Sequence, residues 1–259
     1  MSVQAVSRRP RRESDAASPY VSWCTLEDVR SGSVWCAGTE TVIHLAPLGL
    51  LPTLIPILAD HGVKRLIAFG STSRFTKMNS PDIRERQFAV QLQDAERAMA
   101  SHCDTFGIRW TLFRPTLVYA LGRDRNVTTI ARFISRFGFF PLIGKGAGMR
   151  QPVHAEDLAA ACLSVMDNPA TFGKSYNLSG GEALSYRNMV IRLFGQMRRP
   201  VCLVSIPLSV LRMGLMLGAL WPRYRYFSPE MANRMNQDMC FEVIEAQQDF
   251  GFNPRAFLV

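Results

Sequence analysis

No two cysteines of this chain stand in a C-x-x-C spacing: Cys24, Cys36, Cys103, Cys162, Cys202 and Cys240 are scattered along it. That excludes a zinc ribbon or a thioredoxin-type redox motif. With no leader of secretory pattern at the start, the expectation is buried, reduced thiols in a cytoplasmic protein. His44, His61, His102 and His154 also lack metal-ligand spacing, so no metal site is expected. The longest apolar run, Ile206 to Trp221, is interrupted by Arg212 and two glycines and falls short of the ~20 residues that span a bilayer. It reads as a core or lobe helix, with an amphipathic surface helix as the other reading. There is no internal repeat, and no low-complexity tract beyond an arginine-rich start. No basic stripe interleaved with aromatics appears, which argues against nucleic acid as a partner. No tyrosine lies between Tyr20 and Tyr119.

What is present is ordinary globular composition, 259 residues of which 47% are hydrophobic and 20% charged, enough for a large core. The net charge of +9 suits an anionic partner such as a dinucleotide, a nucleotide sugar or an acidic membrane face. The excess is concentrated in Arg8, Arg9, Arg11 and Arg12 and again in Arg198, Arg199, Arg212, Arg223 and Arg225.

Short apolar runs alternate with helical patterns. Val3 to Ser7 and Tyr20 to Trp23 read as strands, and Leu26 to Val29 as a helical turn. Thr41 to Leu45 and Arg65 to Phe69 are β-rich runs ending in small or hydroxylated residues, with a helix from Leu48 to a terminal Gly62 between them. Ile83 to His102 places Phe88, Leu92, Ala95 and Met99 on one helical face. A strand at Trp110 to Pro115 follows, then helices at Val127 to Phe137, His154 to Met166 and Tyr186 to Met197. Further strands fall at Ser175 to Leu178 and Val201 to Ser205, and Gly138 to Gly148 reads as a glycine-rich turn region. This order predicts an α/β fold, a Rossmann-like doubly wound parallel sheet with a small C-terminal substrate lobe. Residues 1–123 are the expected dinucleotide-binding core. Residues 124–259 are expected to interleave the remaining core strands with the substrate lobe.

Four segments resemble the extended short-chain dehydrogenase/reductase family, particularly its atypical NAD-dependent epimerase/dehydratase-like members. Val42-Ile43-His44-Leu45-Ala46 is similar to the family's V-x-H-L-A strand end, and Phe69-Gly70-Ser71-Thr72-Ser73 to its serine-bearing strand. Arg114-Pro115-Thr116-Leu117-Val118-Tyr119 is similar to R-P-x-x-V-Y-G, and Gln151 to Ala159 to x-x-V-H-V-D-D-x-A. The tail from Phe241 to Phe257 looks like the family's closing motif. The resemblance implies NADP or NAD as cofactor and a small-molecule substrate such as a nucleotide sugar. It also implies pairing of two copies through the helix that contains Phe88.

The same resemblance assigns Leu45, Ala46 and Pro47 to the adenosine side of the cofactor, and Thr116, Leu117 and Val118 to the nicotinamide amide. Ser71, Thr72 and Ser73 become the catalytic hydroxyl candidates, and Asn126, Arg150 and His154 the substrate contacts. For each group a purely structural role stands beside the functional one. Two departures qualify the match. The family's first strand and its G-x-x-G-x-x-G turn, which set a pyrophosphate on a helix amino terminus, have no counterpart here. If Val3 to Ser7 is the second strand, then Ser7, Arg8 and Arg9 fall where NADP-preferring members meet the 2′-phosphate; a disordered basic leader is the other reading. The Tyr-x-x-x-Lys pair, whose lysine lowers the phenol's pKa for proton exchange, falls on Phe88 and Leu92, and neither can move a proton. Three functions follow: an NAD(P)-dependent oxidoreductase or epimerase, a non-catalytic dinucleotide-binding sensor, and a membrane-peripheral assembly protein docking through Pro207 to Phe227. Without the glycine-rich turn, weak cofactor affinity is expected.

Overall fold

The structure, a computed structural model, describes residues 3–8, 20–31, 38–207 and 234–258. In chain order the elements are β1 (Val3–Ser7), β2 (Val21–Thr25), α1 (Leu26–Arg30), β3 (Thr41–His44), α2 (Leu51–Asp60), β4 (Arg65–Phe69), α3 (Ser73–Thr76), α4 (Ile83–Thr105) and β5 (Arg109–Pro115). There follow β6 (Val118–Tyr119), α5 (Val127–Phe137), β7 (Phe140–Ile143), β8 (Met149–Arg150), β9 (Val153–His154), α6 (Ala155–Val165), β10 (Lys174–Leu178), β11 (Leu184–Ser185), α7 (Tyr186–Gln196), β12 (Leu203–Ile206) and a closing helix Ile244–Phe250.

The central sheet is all parallel, in the order β10-β5-β4-β3. Its strands are nearly continuous apolar runs because both faces are covered. Alternation decides which residue meets which layer. Leu66, Ala68 and Leu112 pack with Leu51, Ile55 and Leu58 of α2 and with Met99 and Cys103 of α4. Ile67, Phe113, Tyr176 and Leu178 point the other way, onto Leu158, Ala161, Cys162 and Val165 of α6 and Ala246 of the closing helix. A second core gathers Val127, Ala131 and Ile134 of α5, Phe140 and Leu142 of β7, and Met189, Val190, Leu193 and Phe194 of α7.

Local chemistry sets the boundaries. Thr25 and Asp28 form a reciprocal capping box at the start of α1, with the Thr25 amide donating to the Asp28 carboxylate at 2.7 Å. The Asp82 carboxylate caps α4 through the Arg84 amide at 2.9 Å. Gly138 ends α5 in the left-handed region, φ +77°.

Among the described residues β3 pairs only with β4, and β1 and β2 form their own two-stranded parallel sheet. The segment expected to be a glycine-rich turn, Gly138 to Gly148, instead contains β7, which runs parallel to β12. Pro141 is tolerated there because the amides of Phe140 and Gly144 face β12, bonding Cys202 and Ile206, so the proline's missing N–H falls on the unpaired side. The inward face of α4 also differs from the expected stripe. Ala89, Glu96, Met99 and Cys103 are its buried residues, while Phe88 is 43% exposed. Cys24, Cys103 and Cys162 are buried, and burial pushes the Cys103 and Cys162 thiols up to about 12. Cys202 and Cys240, expected to be buried, are exposed. No helix among the described residues is long and apolar enough to cross a membrane, and Pro207 to Phe227 lies almost wholly outside them.

Candidate functional site

Ligands of parallel α/β sheets sit beyond the carboxyl ends of the strands. Here the tips of β3, β4 and β5 stand side by side, in a register that pairs His44 with Ala68 and Phe69 with Phe113. Leu45 at the β3 tip is 75% exposed, and Ala46 and Pro47 are exposed beside it. His44 is buried; its Nε2 lies 3.3 Å from the Pro47 carbonyl, tying the tip loop back onto the strand. Burial lowers its pKa, against the opposing pull of the Pro47 and Ala46 carbonyls, which favours a neutral ring. Leu45, Ala46 and Pro47 thus form an apolar, open shelf beside the closed core.

The hydroxyls at the β4 tip divide their roles. Ser71 Oγ accepts the Ser73 amide at 3.1 Å. The buried Thr72 hydroxyl donates to the Pro115 carbonyl at 3.1 Å and so joins the β4 tip to the β5 tip. Among the described residues the Ser73 hydroxyl has no hydrogen-bond partner. Beneath them Glu96 of α4 is buried, and its Oε2 receives Arg114 Nε at 3.0 Å, Arg114 Nη2 at 2.8 Å and Arg74. Its Oε1 has no hydrogen-bond partner among the described residues. A Cβ on Gly70 would come within 2.9 Å of that oxygen, so the glycine is what lets the carboxylate reach the strand tip. This ion-paired knot fixes α4, the β5 end and the serine turn to one another.

Sequence reasoning gave neither Glu96 nor Arg74 a role in the site. The available signal was a carboxylate on the inward face of an otherwise apolar helix, since such a group is buried only when paired. At the positions of the missing proton pair, Phe88 is exposed, and Lys77 Nζ sits over its ring 4.8 Å from the centroid. Leu92 is half-buried.

The remaining candidates are dispersed over several elements. Thr116 is an internal tie: its amide bonds the Leu178 carbonyl at 3.0 Å and its hydroxyl the Gln151 carbonyl. The Leu117 carbonyl accepts the Val153 amide, and Val118 pairs with Val153. Asn126 is exposed, its amide donating to Asp124 Oδ1 at 2.7 Å. His154 caps α6 by accepting the Glu156 amide on Nδ1 at 3.2 Å and packs edge-on against Tyr119. Arg150 is buried, and its guanidinium is given to the carbonyls of Met149, Gln237 and Arg234. Arg8 is exposed just after β1, Ser7 pairs with Thr25, and Arg9 lies outside the described residues.

The sequence profile of the NAD dependent epimerase/dehydratase family matches residues 16–179, well over half of the chain. The chain belongs to that family. It is 26% identical over 241 residues to a 2-alkyl-3-oxoalkanoate reductase of Stenotrophomonas maltophilia, covering 84% of this chain and 72% of that one. Over 101 residues it is 29% identical to the mitochondrial NADH dehydrogenase [ubiquinone] 1 alpha subcomplex subunit 9 of Arabidopsis thaliana, covering 39% of this chain and 25% of that one. It spans about half to two thirds of other curated relatives. In three dimensions it resembles the UDP-glucose 4-epimerase of Thermotoga maritima, solved with UDP-glucose. The TM-score is 0.70 at 16% identity, over 98% of this chain and 85% of that one. The likeness is one of fold.

NAD fits part of this epimerase-family site. The exposed, apolar surface at Leu45 and Ala46 suits a flat ring. No glycine-rich strand-to-helix turn to receive the diphosphate occurs among the described residues.

Proposed function

We propose that this epimerase-family chain is an NAD(P)-binding oxidoreductase or epimerase/dehydratase-type protein acting on a hydroxylated small molecule of the nucleotide-sugar class. In this reading residues 1–123 hold the dinucleotide and residues 124–259 supply the substrate side. The observation behind it is the open apolar shelf at the aligned tips of β3, β4 and β5, with a Ser73 hydroxyl after the β4 tip that has no hydrogen-bond partner among the described residues. A bound nicotinamide would supply a hydride acceptor or donor. Leu45, Ala46 and Pro47 would pack against the cofactor's rings, Thr72 would hold the β4 and β5 tips together, and Ser73 would orient a substrate hydroxyl.

A second reading, a dinucleotide-binding protein without turnover, is favoured by Phe88 and Leu92, which stand where a proton-moving pair is expected. NADH fluorescence titration followed by an assay of hydride exchange with UDP-glucose separates the two. Binding with exchange supports the first. Binding without exchange supports the second, and then Phe88→Tyr with Leu92→Lys should add turnover. Absence of NADH and NADPH binding at millimolar concentration would overturn both.

A further inference from the structure

Residues 125–155 and 183–229 contain no aspartate or glutamate, while arginines recur through both. The fold brings the two stretches together. α5 and β7 from the first share a core with α7 from the second, and β12 pairs with β7, so these four elements carry charge of one sign only. Val127, Ala131 and Ile134 turn α5 inward, and Arg132 and Arg136 stand on its exposed side. At its carboxyl end the cations gather around apolar groups. Phe137 is 53% exposed; its ring packs against that of Phe133, 4.6 Å between centroids, and the Arg136 guanidinium lies over it at 5.5 Å. Arg199 donates to the Ile134 and Ser135 carbonyls at 3.1 and 2.8 Å, which sets it on the last turn of the same helix. The Phe140 amide bonds the Cys202 carbonyl at 2.9 Å, so Val201, 52% exposed, emerges beside this end, and Val204, 44% exposed, follows on β12.

Among the described residues the ion pair of this lobe is Arg192 with Glu182; Arg132, Arg136, Arg198 and Arg199 have none. Solvated arginines are ordinary on a surface. An exposed ring and two exposed aliphatic side chains set among uncompensated cations are not. Single-stranded nucleic acid would stack on the ring and neutralise the arginines, but it offers nothing to Val201 and Val204. A bilayer with anionic headgroups meets both demands, because its acyl boundary takes the apolar side chains and its phosphates take the guanidiniums at the ends of their apolar stems.

We propose that the end of α5 and the β7–β12 pair form a docking face for a bilayer carrying anionic headgroups. Phe137, Val201 and Val204 enter the headgroup region, and Arg132, Arg136, Arg198 and Arg199 meet lipid phosphates. This face is separate from the strand tips, and what they bind does not bear on it. The test is co-sedimentation of the full chain with vesicles of phosphatidylcholine alone and of phosphatidylcholine mixed two to one with phosphatidylglycerol. The chain should sediment with the anionic vesicles and stay in solution with the neutral ones, and added salt should weaken the binding. Each cation near an anionic surface raises partitioning about fivefold, so Arg132→Gln with Arg136→Gln should lower it about 25-fold. Phe137→Ser should lower it further.

Equal sedimentation with both kinds of vesicle, sedimentation with neither, or partitioning unchanged by the two glutamines overturns the face. So does release of the bound chain by oligothymidylate at equal phosphate concentration, which would assign the arginines to nucleic acid. If the substituted chains fail to fold, Cys202 decides the question, since its exposed thiol lies at the start of β12. A polarity-sensitive fluorophore attached there, in a chain with Cys36→Ser and Cys240→Ser, should shift its emission to the blue with anionic vesicles only. No shift, or the same shift with neutral vesicles, overturns the face.

Discussion

Replacing Glu96 by Gln keeps the shape of the side chain and removes the one negative charge that holds two guanidiniums. The carboxylate side chain is 4% exposed, and those of Arg114 and Arg74 are 15% and 18% exposed. Taking away one member of a buried pair costs about 3–5 kcal/mol because the partner is left uncompensated. The residual exposure of the arginines lets water relieve part of this, which places the expectation near ~3 kcal/mol. For a chain of this length each kcal/mol lowers the melting temperature by about 2–4 °C, so Glu96→Gln should melt about 6–12 °C lower. Circular dichroism melts and urea titration of both proteins measure it. Adding Arg74→Met to Glu96→Gln should recover part of the loss, since an unmatched charge leaves with the arginine. A loss under about 1 kcal/mol, the range of surface pairs, would refute the claim that this knot holds the strand tips together.

Gly180→Ala should cost more than about 2 kcal/mol or abolish soluble expression, because the new Cβ would lie 1.9 Å from the Pro152 carbonyl oxygen; normal expression with an unchanged urea midpoint would contradict that packing. Arg65→Met should cost about 2–4 kcal/mol. The buried guanidinium, whose pKa burial and then Arg109 bring down to about 10, donates to the carbonyls of Val165, Met166 and Arg109 and to the Thr111 hydroxyl. Urea unfolding reads that loss. For His44 the lowered folded pKa means that the unfolded chain binds the proton first as pH falls, so its contribution is full above the ordinary ~6.5 and declines below it, levelling off under the folded value. The stability gap between wild type and His44→Gln should therefore be smaller at pH 5 than at pH 7.5, and a gap independent of pH would show that the ring is not kept neutral.

The strands and their direction were legible because buried parallel strands write themselves as apolar runs, and Thr41 to Leu45, Arg65 to Phe69 and Trp110 to Pro115 fall on β3, β4 and β5 almost to the residue. The β7 strand was hidden by the glycines around it, since composition marks Gly138 to Gly148 as turn while pairing with β12, some sixty residues away, is a tertiary matter. The orientation of α4 was misread near its start because Phe88 continues the apolar rhythm but finds Lys77 rather than the core. In the site, the shelf residues announced themselves through the strand ends. The partners of Arg150 could not be read locally, because three backbone carbonyls, two of them more than eighty residues distant, take up its donors. Glu96 with Arg74 and Arg114 is likewise a union of three separate elements.

The one-sided bonding of β3 has a kinetic consequence. With β4 as its single neighbour among the described residues, every second amide of Thr41–His44 faces away from the ladder, while β4 and β5 are clasped on both flanks. Deuterium should therefore enter the β3 border well before the middle strands. The strand that ends at Leu45 and Ala46 would then loosen before β4 and β5, and a dinucleotide bound there, as proposed, should slow its exchange.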